Sequence, residues 1–385
     1  MMIPKLLSLL QSFTLLYLFT VTFASTEQTD ALIKWKVTLQ NQNNSLLASW
    51  TLSSSACRDW YGDICFNGRI TRLNITNASI TVSLEPSHLG NLTNLVYLQL
   101  SNNKISGTIP PQISSLEKLQ TLSIFDNHLN GPIPGETGYL RSLTKLSMGS
   151  NFLNGSIPIS LGNLTNLSVL YLYKNQLLGF IPKEIGDLRS LTEISLRNNS
   201  LGGSIPASVG NLTNLSTLYL YENLLSGSIP QEIGYLRSLT RLVLSTNFLN
   251  GSIPASLGIR TTCPSGHLEV LDMHHNYLSG TLPTTFSIGS VLRSLNLYEN
   301  EIEGNIFVSL ANCEELQVLD LGDNHLIDTF PMWLGTLPKL KVLSLRSNKL
   351  HGSIRTSRIK NIFPELRIID LSCNAFVGNL PTSLF

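Results

Sequence analysis

From Leu73 onward, apolar and polar positions follow one schedule, L-x-x-L-x-L-x-x-N-x-L-x-G-x-I-P-x-x-L-G-x-L, clearest in Asn163–Gly186 and returning every 24 residues. A period between about 20 and 50 residues marks a solenoid, in which each coil buries its leucines against the next. In Leu170-Tyr171-Leu172, alternation sends the two leucines inward and Tyr171 outward, as in a short strand. The schedule's asparagine falls at Asn103, Asn127, Asn151, Asn175, Asn199, Asn223 and Asn247, always 24 residues apart. The next interval, to Asn276, is 29, because Ile259–His267 carries five extra residues. Spacing of 24 resumes through Asn300, Asn324 and Asn348, and Asn374 follows after 26. About thirteen coils result, counting a degenerate first and a partial last. The asparagine amide is expected to bond backbone groups of its own and adjacent coils. Gly-x-Ile-Pro is expected to turn the chain, with Ile refilling the core.

Residues 27–66 lack the period. Asp30 is the expected N-cap of an amphipathic helix over Ala31–Leu39, with Leu32, Trp35 and Leu39 on one side. Cys57 and Cys65 stand eight residues apart in C-x-x-W-x-G-x-x-C. In a secreted chain such a pair reads as a disulfide, securing a cap over the first coil's apolar flank. A structural zinc site is the other reading of two such cysteines, and no His pair lies near them to complete it.

Secretion is expected from residues 1–24, where Lys5, the apolar run Leu6–Phe23 and Thr22-x-Ala24 compose a signal peptide. An uncleaved anchor is the competing reading, weakened by Gln11 and the hydroxyl residues within the run. No later stretch reaches the ~20 apolar residues of a membrane span. Of the Asn-x-Ser/Thr sequons, Asn74, Asn91, Asn154, Asn163, Asn211 and Asn250 are the expected glycan acceptors. Asn163 and Asn211 are preferred to their close neighbours Asn166 and Asn214. No sequon follows Asn250, which marks either a sugar-free docking flank or a different ancestry for the second half. The organisation is therefore a signal peptide (1–24), a cap (25–68), regular repeats (69–258), an irregular insertion (259–267) and further repeats (268–385).

This repeat, with its C-x-x-W-x-G-x-x-C cap, resembles the plant-type leucine-rich repeat over essentially the whole mature chain. The resemblance implies an α/β repeat solenoid: a right-handed superhelix with a parallel sheet on its concave face and a helical disulfide N-cap, while the sequence itself offers no C-cap. It also implies the cell-surface ectodomain of a receptor kinase or receptor-like protein. GSIPxEIGxLRSL, as around Ile181–Leu191 and Ile229–Leu239, is similar to receptor-kinase ectodomains. LANCEELQVLDLGDNHLIDTFPMWLGTLPKLKVLSLRSNKLHG is similar to receptor-like proteins of disease resistance. The change of text falls at the irregular 259–267 segment and reads as a hybrid ectodomain. In both branches a cap and a membrane span follow the repeats, so a chain stopping at Phe385 reads as a fragment or truncated product.

With net charge +1, only 13% charged residues and neither a basic excess nor an acidic tail, composition argues against nucleic-acid binding. The sequence holds no Gly-rich phosphate loop, nucleophile elbow or kinase signature, so neither an enzyme nor a cofactor is expected. Ligand binding is expected on the concave face, where recognition chemistry concentrates in one outward lane. The position after each strand's second leucine runs Ser101, Phe125, Gly149, Tyr173, Arg197, Tyr221, Ser245, His274, Tyr298, Gly322, Arg346. Adjacent coils lie ~4.8 Å apart, so Arg197 is expected between Tyr173 and Tyr221. Tyr171 and Tyr219 flank Ser195 one lane over, and Lys174, Asn198 and Glu222 lie next outward. Tyr and Arg are enriched in binding hot spots, so Tyr171, Tyr173, Lys174, Arg197, Tyr219, Tyr221 and Glu222 are the candidate ligand contacts. Cross-strand Tyr/Arg pairing that only steadies the sheet is the competing reading. A glycan on Asn198 argues against contact there.

His274 and His275, as strand neighbours, are expected on opposite sides, poorly placed to share a metal ion and fit at most for a pH-tuned contact. Cys313 occupies a core leucine position as a free thiol, with Cys263 in the loop and Cys373 near the end. The convex residues Arg141, Arg189, Arg237, Thr165 and Thr213 read as a solvated face. The expected partners are a peptide or protein ligand and a co-receptor kinase, at the plasma membrane or in the apoplast. A secreted inhibitor of pathogen cell-wall hydrolases, similar to polygalacturonase inhibitors, is the rival reading, and an inert gene fragment a third.

Overall fold

The computed structural model describes residues 27–39, 45–84, 90–257, 267–284, 286, 288–354 and 362–378. The expected signal peptide, nearly all of the 259–267 insertion with Cys263, and residues 379–385 lie outside them. The chain forms two compact units, Met1–Gln176 and Leu177–Phe385.

Each L-x-L becomes a three-residue strand whose partners in sequence are its partners in space. In the first unit Tyr97–Gln99, Thr121–Ser123, Lys145–Ser147 and Val169–Tyr171 pair in parallel, aligning Leu98, Leu122, Leu146 and Leu170. All four leucines are buried completely. In the second unit the same alignment runs from Ile194 through Leu218, Leu242, Leu271, Leu295, Leu319 and Leu343 to Ile369. The five-residue excess leaves no trace in this register, since Leu242 still faces Leu271.

Asparagine locks neighbouring coils together. Asn223 Nδ2 donates to the carbonyls of Leu196 (3.0 Å), Leu220 (3.0 Å) and Tyr221 (3.3 Å), and its Oδ1 accepts the Leu201 N–H at 3.1 Å. Buried backbone groups need partners, and one side chain supplies four bonds across two coils. Asn127, Asn247, Asn276, Asn300, Asn324 and Asn348 repeat the arrangement.

Gly-x-Ile-Pro was expected only to turn the chain, yet the residues around Leu-x-Gly first pair into a second ladder. In the first unit it joins Thr81–Ser83, Lys104–Thr108, His128–Pro132 and Phe152–Asn154. In the second it runs from Leu178–Phe180 to His325–Leu326. Once the asparagines hold the coils one strand spacing apart, the following backbone is already positioned to pair. Proline then opens a 3₁₀ turn, such as Ala207–Asn211 after Pro206, closed by the Leu212 N–H on the Val209 carbonyl at 3.1 Å. Gly186 lets these turns stack: a Cβ there would stand 2.4 Å from the Ser208 carbonyl oxygen.

Residues 27–37 are continuously helical in the cap, so Asp30 lies within the helix and does not cap it. Leu32, Trp35 and Leu39 are buried as expected. Trp50 stacks on Trp60 with ring centroids 5.2 Å apart, and its Nε1 donates to the Tyr61 carbonyl at 3.0 Å. Cys57 and Cys65 form the disulfide. Asp63–Phe66 turns back antiparallel onto Arg69–Asn74 and covers the edge strand of the sheet, an edge otherwise open to pairing with another chain.

Candidate functional site

The lane after each strand departs from simple alternation. The residue before every ladder asparagine adopts a left-handed conformation, with φ of 51° at Lys174, 53° at Asn198, 54° at Glu222 and 51° at His275. This turns two consecutive side chains out of the same coil.

In the first unit the rings of Tyr171 and Tyr173 meet edge to face at 6.0 Å. Tyr173 lies over Gly149, where a Cβ would come within 2.8 Å of the ring. Glycine here gives the ring a flat seat. Both tyrosines are half-buried, and Lys174 beside them is exposed.

In the second unit Tyr219 and Tyr221 repeat the edge-to-face contact at 6.1 Å, and the Arg197 guanidinium stands 5.5 Å from the Tyr221 ring centre. Arg197 Nη1 donates to Asn198 Oδ1 at 3.3 Å, and Asn198 Nδ2 donates to a Glu222 carboxylate oxygen. Asn198 thus bridges cation and anion, and glycosylation of its amide nitrogen removes one of the two N–H bonds that group can form. Arg241 belongs with this group and was missed in the sequence. The Tyr219 hydroxyl bonds its guanidinium and holds its pKa above the ordinary value, with Glu269 adding to the effect. Two arginines therefore bracket two tyrosines.

His274 and His275 do not diverge as alternation suggested. The left-handed turn brings their rings to 5.0 Å, and each meets a carboxylate: Asp272 at 2.6 Å from His274 Nδ1, Glu299 at 2.7 Å from His275 Nδ1. The bond to Asp272 raises the His274 pKa above the usual imidazole value, against the opposing effect of partial burial. Cys313 is a buried free thiol whose pKa burial pushes up to about 11, and Cys373 is free and exposed.

Among the expected glycan acceptors, Asn91, Asn154, Asn163, Asn211 and Asn250 are exposed. Asn74 is half-buried, its Oδ1 accepting the Thr76 N–H at 3.2 Å. The neighbouring sequons Asn166 and Asn214 donate their Nδ2 across coils to the Arg141 and Arg189 carbonyls, each at 3.0 Å.

Repeats in this register, stapled by asparagine, define a leucine-rich-repeat solenoid, and family models agree. The leucine-rich repeat region model matches residues 69–179, and leucine-rich repeat models match 190–212, 214–236 and 266–326. The chain belongs to the leucine-rich-repeat proteins, and its fold is that of plant receptor ectodomains. It is similar to Receptor-like protein 9DC3 of Solanum pimpinellifolium, 58% identical over 118 residues, or 31% of this chain and 14% of that protein. Among solved structures, PEPR1–AtPEP1 matches with TM-score 0.79 and 32% identity over 93% of this chain and 53% of the other. The Arabidopsis receptor kinase HAESA, in complex with the peptide hormone IDA and the co-receptor SERK1, matches with TM-score 0.51 and 26% identity over 93% and 75%. The aligned stretch is thus about half of the PEPR1 chain and a far smaller share, 10% and 14%, of the curated relatives.

Proposed function

We propose that this chain is the extracellular recognition region of a plant receptor-like protein or receptor kinase, binding a peptide or protein ligand in defence signalling. The ligand contacts are Tyr171, Tyr173 and Lys174 of the first unit and Arg197, Tyr219, Tyr221 and Glu222 of the second. One observation carries the reading: Arg197, half-exposed, stands over Tyr221 at 5.5 Å with Tyr219 set edgewise beside it. Rigid aromatics lose little entropy on binding, and a guanidinium held over a ring reads carboxylates with two parallel bonds. The pairs also steady the sheet, but packing alone does not require an anion, Glu222, held next to the cation through Asn198. Likeness to HAESA with its peptide hormone supports the ligand class, and its co-receptor supports a co-receptor partner here. In this reading the chain enters the secretory pathway through residues 1–24, carries glycans on its exposed sequons and works at the plasma membrane. Among the described residues no helix is long and apolar enough to cross a membrane.

The test is selection of peptides from a displayed random library on the immobilised protein. Changing Tyr173, Arg197 and Tyr221 together to alanine abolishes capture of the selected peptides while circular dichroism and the melting temperature hold. Undiminished capture by the triple variant overturns the assignment.

A further inference from the structure

The second unit carries another recessed surface, beside the ladder asparagines and not on the tyrosine lane. It is a groove of about 500 Å³, within the roughly 300–1,000 Å³ of ligand pockets. One flank is Leu224, Phe248 and Tyr277, the residues directly after Asn223, Asn247 and Asn276. The other is Thr246, His275 and Glu299, with Glu301 closing one end. We propose that this groove binds a peptide segment in which an aromatic residue stands next to an arginine or lysine.

Three observations select that occupant. First, the apolar flank is exposed and local. Leu224, Phe248 and Tyr277 are 50%, 47% and 51% exposed, and the Phe248 and Tyr277 rings stack nearly parallel at 6.2 Å. Elsewhere in the second unit that position holds Ser200, Glu301, His325, Lys349 and Ala375. Apolar surface gathered in a recess, not scattered, marks a contact site.

Second, the floor has no spare polarity. Asn247 and Asn276 spend Nδ2 on carbonyls of their own and the preceding coil, and Oδ1 on the N–H groups of Leu225 and Leu249. A polar insert would exchange water for nothing, whereas a ring loses nothing there.

Third, apart from the Tyr277 phenol the ionisable groups lining the groove are Glu299, Glu301 and His275, with no lysine or arginine among them. Even with His275 protonated and paired to Glu299, the lining stays negative, so it favours a cation and opposes an anion. A guanidinium reaching Glu299 or Glu301 also passes the exposed Phe248 and Tyr277 faces, which attract cations. The proposal does not rest on the tyrosine lane.

The test uses three capped tetrapeptides, Gly-Arg-Trp-Gly, Gly-Glu-Trp-Gly and Gly-Arg-Gly-Gly, titrated into the whole chain and followed by isothermal calorimetry. The first binds at least about tenfold more tightly than either other. Phe248→Ala weakens it about tenfold; should that variant melt early, Tyr277→Ser replaces it. Glu299→Lys with Glu301→Lys turns the preference toward the glutamate peptide. Tyr173, Arg197 and Tyr221 to alanine leaves all three affinities unchanged, which separates this site from the one proposed above. Equal binding of the three peptides, no binding at about 1 mM, or an unreversed preference in the double-lysine variant overturns the proposal.

Discussion

Replacing Asn223 with leucine tests whether the asparagine ladder holds the coils together or merely accompanies them. The Leu201 N–H, fully buried, loses its acceptor at 3.1 Å. The Leu196, Leu220 and Tyr221 carbonyls each lose one donor but keep another, from Asn199 Nδ2 at 3.0 Å, Asn247 Nδ2 at 3.1 Å and the Asn198 N–H at 3.0 Å. An orphaned buried donor costs ~1–3 kcal/mol and each lost bond of an otherwise satisfied carbonyl ~0.5–1.5. Burying the leucine side chain returns ~1.5–3 kcal/mol, leaving a net loss of about 2–3 kcal/mol. Because neighbours alone couple in a solenoid, the loss is local. Hydrogen exchange at Leu201 should therefore quicken about a hundredfold, at ~1.4 kcal/mol per factor of ten, while amides several coils away change little. Asn214→Leu is the control: its exposed amide makes one cross-coil bond, to the Arg189 carbonyl, and its loss should stay within ~0.5 kcal/mol. Asn223→Asp sharpens the test, since it keeps the acceptor but sets a carboxylate against carbonyl oxygens. That raises the folded-state pKa, so the variant is relatively most stable in acid and loses stability as pH rises from about 4. Unchanged Leu201 protection in Asn223→Leu, or equal melting of that variant and the control, refutes the argument.

Other outcomes follow from single contacts. Under native conditions a thiol reagent at pH 8 should modify Cys373 well before Cys313, whose thiol burial holds near 11; mass mapping of the labelled peptides decides, and early labelling of Cys313 contradicts its burial. His274, titrated by NMR, should protonate above the ordinary imidazole value of about 6.5, and Asp272→Asn should lower that midpoint. Because its folded-state pKa is raised, its contribution to stability is complete below about 6.5 and fades as pH climbs through the raised value; a melt that improves across that window contradicts the pairing. Gly149→Ala should displace the Tyr173 ring from its seat and disturb the Tyr171 edge contact, visible as shifted Tyr173 ring resonances at a cost of about 1–3 kcal/mol.

The parts of the fold that were legible are those where one residue type answers one demand. Leucine at alternate positions and asparagine after them mark the first ladder, because few other side chains fill those sites. The second ladder was not legible: Leu-x-Gly is too short and too poor in β-formers to announce a strand, and its pairing is inherited from the coil spacing. The cap hairpin was readable and overlooked, since Asn67-Gly68 directly after the apolar Ile64-Cys65-Phe66 is the two-residue turn signal, and both take positive φ, 50° and 73°. At the candidate site, the Tyr/Arg lane could be counted from the period. The closeness of His274 and His275 could not, because Lys, Glu, Thr and His occupy the left-handed position as readily as Asn; closure of the coil imposes the conformation. The Phe248–Tyr277 stack needed only one more lane to be counted, the one directly after the asparagines.

The undisturbed alignment of Leu242 with Leu271 across five surplus residues has a historical consequence. Neighbouring coils are matched through their strands and asparagines, and the connecting length is unconstrained by that match. Two genes carrying this motif can cross over out of step and still yield a chain whose turns interlock. The near-duplicate blocks 163–210 and 211–258 have the form such exchanges leave behind. Lineages can thereby trade whole segments of their outward-facing alphabet without redesigning the interior.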